Sequence, residues 1–175
     1  MPRLRQRMQK LGNPLTDTHN LVTLFTVIAI ITADQITKAW IRTYPPARVI
    51  SGFGFVRIVH TQNSGSVFGL FQGQSSALAI VATVVIVALL ALAFWVYTRF
   101  PYLVTKWNRV AFGLILGGAI GNLIDRLLFS GMVTDFLETS FWATFNIADS
   151  GITVGEIMFG ICVIRLALIG KHSVN

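Results

Sequence analysis

Charged residues are scarce in this chain. Lysine, arginine, aspartate and glutamate make up 12% of its 175 residues, against about 25% in soluble domains. Only seven residues are acidic, and the single cysteine, Cys162, excludes an intrachain disulfide. Histidine and cysteine do not cluster at metal-ligand spacing, so we expect no metal and no other cofactor. This composition excludes an ordinary soluble domain.

Long apolar runs take the place of the missing charge. Hydrophobic residues make up 54% of the chain. Each run is close to the ~20 residues with which an α-helix crosses a ~30 Å hydrocarbon core. The runs are 21–41, 77–97, 110–129 and 152–169. We therefore predict an all-α membrane protein, a single domain over residues 1–175 with four transmembrane helices.

The longest connection, residues 43–75, has a different pattern. Pro45 and Pro46 prevent a helix, and β-branched and aromatic residues then alternate around two glycines. This predicts short strands that form a small extracytoplasmic β-sheet or loop cradle. The stretch SVFGLFQG, residues 66–73, predicts an apolar flap at the lipid–water interface.

Basic residues are distributed unevenly between the two ends of the predicted spans. An excess of lysine and arginine in short flanks marks the cytoplasmic side, so we predict that both termini are cytoplasmic. This placement indicates that the net charge of +7 orients the protein in a membrane rather than binding nucleic acid. The inner residues are Arg3, Arg5, Arg7, Lys10, Arg99, Lys106, Arg109 and Lys171, and the outer ones are Arg42, Arg48 and Arg57.

With this topology, every aspartate after Asp17 lies at the outer end of the spans. Asp34 falls in span one and Asp125 near the end of span three, Asp135 follows span three, and Asp149 opens span four. Ionisable residues within a membrane cost about 2.5–3.5 kcal/mol each on insertion scales and indicate function by default. The cluster is therefore a candidate site.

Several of these residues also have a structural interpretation. Asp34 and Lys38 have the spacing and order of a helix ion pair. Asn122, Asp125 and Arg126 share a helix face, where Arg126 can pair with Asp125 or hold a loop carbonyl.

Asp149, with Asn146 three positions earlier, can be a helix N-cap. Asp135 has neither a helix to cap nor a cation nearby in sequence. His60 is more typical of a packing or surface residue than of a ligand. Glu156 lies deeper in span four, facing either a polar interior or an unidentified basic partner.

Two carboxylates in a partly dry site share a proton, so one can act as a base toward water and the other as an acid toward a carbonyl, as in aspartic proteases. The pattern favours a membrane-embedded aspartyl hydrolase that acts near the outer leaflet. A small proton- or cation-coupled carrier is the alternative, and a structural assembly factor is the third interpretation.

Five motifs, in order along the chain, resemble those of the lipoprotein signal peptidase (signal peptidase II) family. They are ADQITK (33–38), QNSGSVFG (62–69), GGAIGNLIDR (117–126), VTDF (133–136) and FNIADSGITVG (145–155). One departure is Ser66–Val67, where the family more often has a small pair containing alanine.

The resemblance implies an aspartic endopeptidase of the bacterial inner membrane. Such an enzyme removes signal peptides from prolipoproteins, cutting before the diacylglyceryl-modified cysteine, and it binds globomycin-type inhibitors. We expect a monomer in contact with membrane lipid. The implied catalytic pair is Asp135 and Asp149. Supporting or substrate-binding roles are implied or expected for Asp34, Lys38, Asn63, Gly65, Phe68, Asn122, Asp125, Arg126 and Asn146.

Overall fold

A computed structural model describes residues 18–64, 75–99 and 105–172. The described part consists of four long helices and one antiparallel sheet, as predicted. The elements are α1 (Thr18–Ile41), β1 (Val49–Phe53), β2 (Val56–Asn63), α2 (Ser75–Arg99), α3 (Lys106–Leu128), β3 (Val133–Thr139), β4 (Trp142–Phe145) and α4 (Ile147–His172).

All four described helices are long and apolar enough to cross a membrane. In α2, the most apolar of them, only 6% of the spanning window is buried within the protein, whereas in α3 the share is 44%. Apolar side chains cover the outside of these helices. The hydrocarbon interior of a membrane is therefore a more favourable environment for them than water. The protein is a multi-pass membrane protein with α3 at its centre.

Helix α3 packs against both α1 and α4, and glycines permit the close approach. A Cβ atom on Gly117 would lie 3.0 Å from the carbonyl oxygen of Val27, and one on Gly113 would lie 3.0 Å from that of Thr23. The helix backbones therefore come closer than larger residues would allow. Gly113 and Gly117 stand four residues apart, so both lie on one stripe of α3, the small-xxx-small arrangement of membrane helix packing.

The sheet has the strand order β1-β2-β3-β4. Strands β1 and β2 lie in the connection for which strands were predicted. Strands β3 and β4 were not predicted, because β3, VTDFLET, lacks a clean alternation of apolar and polar residues and β4 has only four residues. A turn with Gly131 at φ 81° joins α3 to β3, and β3 pairs with β2 so that Asp135 lies opposite Thr61.

All four helices begin earlier than their apolar runs, and α3 and α4 do so by the most. Helix α3 starts at Lys106, where the Thr105 side chain caps it by accepting a hydrogen bond from the Asn108 N–H at 3.2 Å. Helix α4 starts at Ile147 rather than at 152. Hydropathy locates the apolar part of a helix, whereas caps locate its first turn.

Candidate active site

Asp135 lies on β3 with 2% of the residue exposed. Its Oδ1 accepts a hydrogen bond from Asn146 Nδ2 at 2.7 Å, and its Oδ2 accepts one from Asn63 Nδ2 at 2.9 Å. Asn63 comes from β2 and Asn146 directly precedes α4. The carboxylate that has no cation nearby in sequence is therefore held by two neutral amides.

Asp149 lies in the first turn of α4 and is half-buried. Its Oδ2 accepts the backbone N–H of Asn146 at 3.2 Å, while Asn146 Oδ1 accepts the backbone N–H of Asp149 at 2.9 Å. This reciprocal pair has the form of a capping box. Asn146 is thus the N-cap, and the prediction that Asp149 itself is the cap is wrong.

Asn122 of α3 connects the two acids to the interior. Its Nδ2 donates to Asp149 Oδ1 at 2.7 Å, and its Oδ1 accepts from Asn146 Nδ2 at 3.1 Å and from Lys38 Nζ at 2.9 Å. The nitrogen and the oxygen of the Asn122 amide group both have partners, which fixes the orientation of the group. A continuous hydrogen-bonded path therefore runs from Lys38 to both aspartates.

A fully buried ion pair supports this path from α1. Lys38 Nζ lies 2.8 Å from Asp34 Oδ2, and both side chains are 0% exposed, as the spacing predicts. Asp34 Oδ1 also accepts the backbone N–H of Ala148 at 3.0 Å. The pair thereby fastens α1 to the first turn of α4, beside Asp149.

Asp125 has a different partner from the one that its helix face indicates. Its Oδ1 lies 2.6 Å from Arg42 Nη2, and its Oδ2 lies 3.6 Å from Lys38 Nζ. Arg126 forms no ion pair with Asp125 among the described residues; its Nη1 donates to the Asn122 carbonyl of its own helix at 3.4 Å, and a contact with a loop carbonyl stays a prediction. The charge of Arg126 interacts with those of Asp149, Asp135 and Asp125.

Burial is the main cause of the shifted pKa of Asp135. The pKa of this carboxyl group is raised from 3.8 to about 6: burial raises it most, the nearby charge of Asp149 also raises it, and hydrogen bonds from Asn63 and Asn146 lower it. A carboxyl group with a pKa in this range can both hold and release a proton near neutral pH.

A cavity of about 450 Å³ opens beside Asp149. Its volume falls within the range of small-molecule sites, and its walls are mostly aromatic and aliphatic. The lining residues are Thr139, Phe141, Trp142, Phe145, Asp149, Ser150, Thr153 and Val154. The Asp149 carboxylate is thus next to an apolar space that reaches down α4 into the spanning region.

The other residues singled out in the sequence lie elsewhere. Gly65, Phe68 and the flap at 66–73 lie outside the described residues. His60 is a packing residue, 3% exposed, whose Nδ1 donates to the Tyr44 carbonyl at 2.6 Å. Glu156 is exposed on α4, so the polar-interior interpretation of it is wrong.

Sequence reasoning missed Arg42 and Gln35 as members of the site. Gln35 Nε2 donates to Asp34 Oδ2 at 3.1 Å and to Asp125 Oδ1 at 3.2 Å. Arg42 reaches Asp125 across 83 positions of sequence. Gln35 stands within the ADQITK motif, which is a usable signal, but nothing local marks Arg42.

Together, fold and site define a multi-pass membrane protein with a carboxylate pair at one end of its helix bundle. The family profile for Signal peptidase (SPase) II matches residues 26–165. A lipoprotein signal peptidase of Dehalococcoides mccartyi is 42% identical and covers 80% of this chain and 87% of its own length. One of Desulforapulum autotrophicum is 41% identical, with coverage of 82% and 92%.

Solved structures agree with the sequence comparison. Two structures of bacterial membrane enzymes match the fold with a TM-score of 0.70 at 27% identity, over 82% of this chain and 87% and 92% of theirs. The chain belongs to the signal peptidase II family.

Proposed function

We propose that this protein removes the signal peptide from prolipoproteins, cutting on the N-terminal side of the diacylglyceryl-modified cysteine, with Asp135 and Asp149 as the catalytic pair. The observation that carries the assignment of the pair is their common contact with Asn146, which donates to Asp135 Oδ1 at 2.7 Å and to Asp149 Oδ2 at 3.2 Å. Two carboxylates held on one residue can share a proton and a water molecule.

The elevated pKa of Asp135, about 6, favours it as the holder of the shared proton. Asp149 then accepts a proton from the attacking water, and Asp135 donates its proton to the oxygen of the scissile carbonyl. The tetrahedral intermediate collapses as the C–N bond breaks: the amine takes the proton from Asp149, and a hydroxyl group of the intermediate returns a proton to Asp135. One water is consumed for each peptide bond, and one carboxyl and one amino terminus form.

Substrate access is consistent with this pairing. A signal peptide lies in the membrane as an apolar helix, and its scissile bond lies at the outer interface. The cavity beside Asp149 is lined by aromatic and aliphatic side chains such as Phe145 and Val154. Such walls suit an apolar substrate segment, whether peptide or acyl chain, more than they suit water.

We further propose the bacterial inner membrane as the location, both termini as cytoplasmic, and the pair at the periplasmic face. A reporter fused after Lys171 should then be cytoplasmic, and one inserted at Gly54, in the turn between β1 and β2, should be periplasmic. The reverse pattern would place the pair on the wrong side for prolipoproteins. We also propose a monomer that globomycin-type inhibitors bind at the pair.

The test of function is a cleavage assay on a diacylglyceryl-modified prolipoprotein and on its unmodified form. We expect a gel shift for the modified substrate alone, and mass spectrometry should find the lipidated cysteine at the new N-terminus. Equal cleavage of both forms, or a product that starts at another residue, would rule out the proposed specificity. The carrier alternative is not favoured, because Asp34, Asp125, Asp135 and Asp149 lie at one end of the bundle.

A further inference from the structure

Arg42, the residue just after the end of α1, contacts three residues beside the site. Its Nη2 lies 2.6 Å from Asp125 Oδ1 on α3, and its Nε donates to Thr134 Oγ1 on β3 at 2.9 Å. The guanidinium carbon lies 3.9 Å from the centre of the Phe129 ring, in the segment that joins α3 to β3. One side chain thus connects α1 to both ends of the α3–β3 connection.

We propose that Arg42 is a positioning residue for the catalytic pair: it fixes the start of β3 on the end of α3, so that Asp135 stays against Asn146. This inference rests on the proposed function of Asp135 and Asp149. Arg42 touches neither aspartate of the pair in any contact described above and acts through Thr134 and Asp125.

The charges show why the interior requires Arg42. Asp34 and Asp125 are both fully buried, and Lys38 lies closer to Asp34, at 2.8 Å, than to Asp125, at 3.6 Å. A buried carboxylate without a close cation is costly. Arg42 is the nearest cation to Asp125, and with it the two acids and two bases balance.

Asp125 then transmits this restraint to β3. Its Oδ2 accepts the backbone N–H of Thr134 at 2.9 Å, and Arg42 holds the hydroxyl of the same residue. The Thr134 carbonyl accepts from Asn146 Nδ2 at 3.4 Å, the amide that also donates to Asp135. Thr134 is therefore held at its N–H, hydroxyl and carbonyl, one residue before Asp135.

Lysine cannot reproduce these contacts. The planar guanidinium donates to Asp125 and Thr134 at the same time while its face lies over the Phe129 ring. An ammonium group would still balance the charge of Asp125, but it would lose the fixed second donor and the flat ring contact. Arg42→Lys therefore separates charge balance from positioning.

The test compares Arg42→Lys with Arg57→Lys in purified full-length protein. Arg57 forms a surface ion pair with Glu138 at 2.9 Å and is half-exposed, so its variant should keep wild-type kcat and KM. Arg42→Lys should unfold at nearly the wild-type temperature but lose about tenfold in kcat, with KM little changed. A kcat equal to that of Arg57→Lys, or a rise in KM alone, would overturn the proposal.

Thr134→Val tests the same contact without altering charge. It should lower kcat by a few-fold, and combined with Arg42→Lys it should add little, because both changes remove one interaction. Multiplicative losses in the double variant would overturn a shared role. If Arg42→Lys does not fold, the Thr134→Val rate decides: an unchanged kcat would contradict the proposal.

A readout that needs no cleavage keeps this inference distinct from the proposed function. The infrared band of the protonated Asp135 carboxyl group is identified by its loss in Asp135→Asn. In Arg42→Lys this band should titrate at higher pH than in wild type, because the Asn146 hydrogen bond that lowers the pKa weakens. An unchanged titration would contradict the role of Arg42, whether or not prolipoprotein is the substrate.

Discussion

Asp135 and Asp149 accept hydrogen bonds from the same residue, Asn146, through its side-chain amide at 2.7 Å and its backbone N–H at 3.2 Å. Asn146 is also the N-cap of α4. The start of one transmembrane helix therefore sets the spacing of two acids that come from different elements. In the proposed mechanism, capping and catalysis both depend on the Asn146 side chain, and substitutions can separate the two roles.

Asn146→Ser and Asn146→Ala should differ in stability, but both should lose activity to a similar extent. Serine caps helices about as well as asparagine, whereas alanine costs typically ~1 kcal/mol at this position. Neither replaces the amide donor to Asp135, so both should lose at least about tenfold in kcat. Thermal unfolding together with rates on lipidated substrate measures both effects. Full activity in the serine variant would show that the amide contact has no catalytic part.

Asn63→Ala should change the pH dependence of cleavage. The hydrogen bond from Asn63 lowers the pKa of Asp135, which is about 6 in the intact site. If the active form holds one shared proton, the rate falls as rising pH removes that proton. Loss of the Asn63 donor disfavours the charged form and raises this pKa, so the basic limb of the kcat/KM profile should move to higher pH.

The neighbouring exposed residue Gln62 provides the control for this measurement. Gln62→Ala should leave the basic limb at its wild-type position. A basic limb in Asn63→Ala that stays in place, or moves to lower pH, would contradict a singly protonated pair.

Gly117→Ala should destabilise the helix bundle. The added Cβ would lie 3.0 Å from the Val27 carbonyl oxygen and 3.1 Å from the Ile30 Cβ, which forces α1 and α3 apart at an expected cost of about 1–3 kcal/mol. Gly160→Ala on α4 is the matched control, because no atom lies within 4 Å of its added Cβ. The control should be neutral or stabilised by up to about 1 kcal/mol. Equal unfolding temperatures would show that the glycine contact has no effect on stability.

Local patterns predict much of this architecture. Apolar length predicts the four helices, and the spacing of Asp34 and Lys38 predicts their ion pair. Charge distribution predicts that the aspartates collect at one end. The capping box of Asn146 and Asp149 has a readable signature too, which explains why α4 begins ahead of its apolar run.

Contacts between distant elements have no such signature. Strand β3 forms because β2 pairs with it, and its own sequence, VTDFLET, lacks a clean alternation. Arg42 finds Asp125 only when α1 lies beside α3, and the nearer Arg126 is the partner that local spacing indicates. A helix face specifies which residues point the same way, but it does not specify which neighbouring element approaches them.

The most direct test of the catalytic pair is the cleavage rate of Asp135→Asn and Asp149→Asn on a diacylglyceryl-modified prolipoprotein. Each amide keeps the shape of its carboxyl group and loses the exchangeable proton. Both variants should insert, purify and unfold like folded protein, and both should lose all measurable cleavage, while Asp34→Asn should lower stability or yield and keep some activity. Substantial turnover by either Asp135→Asn or Asp149→Asn in folded protein would contradict the account.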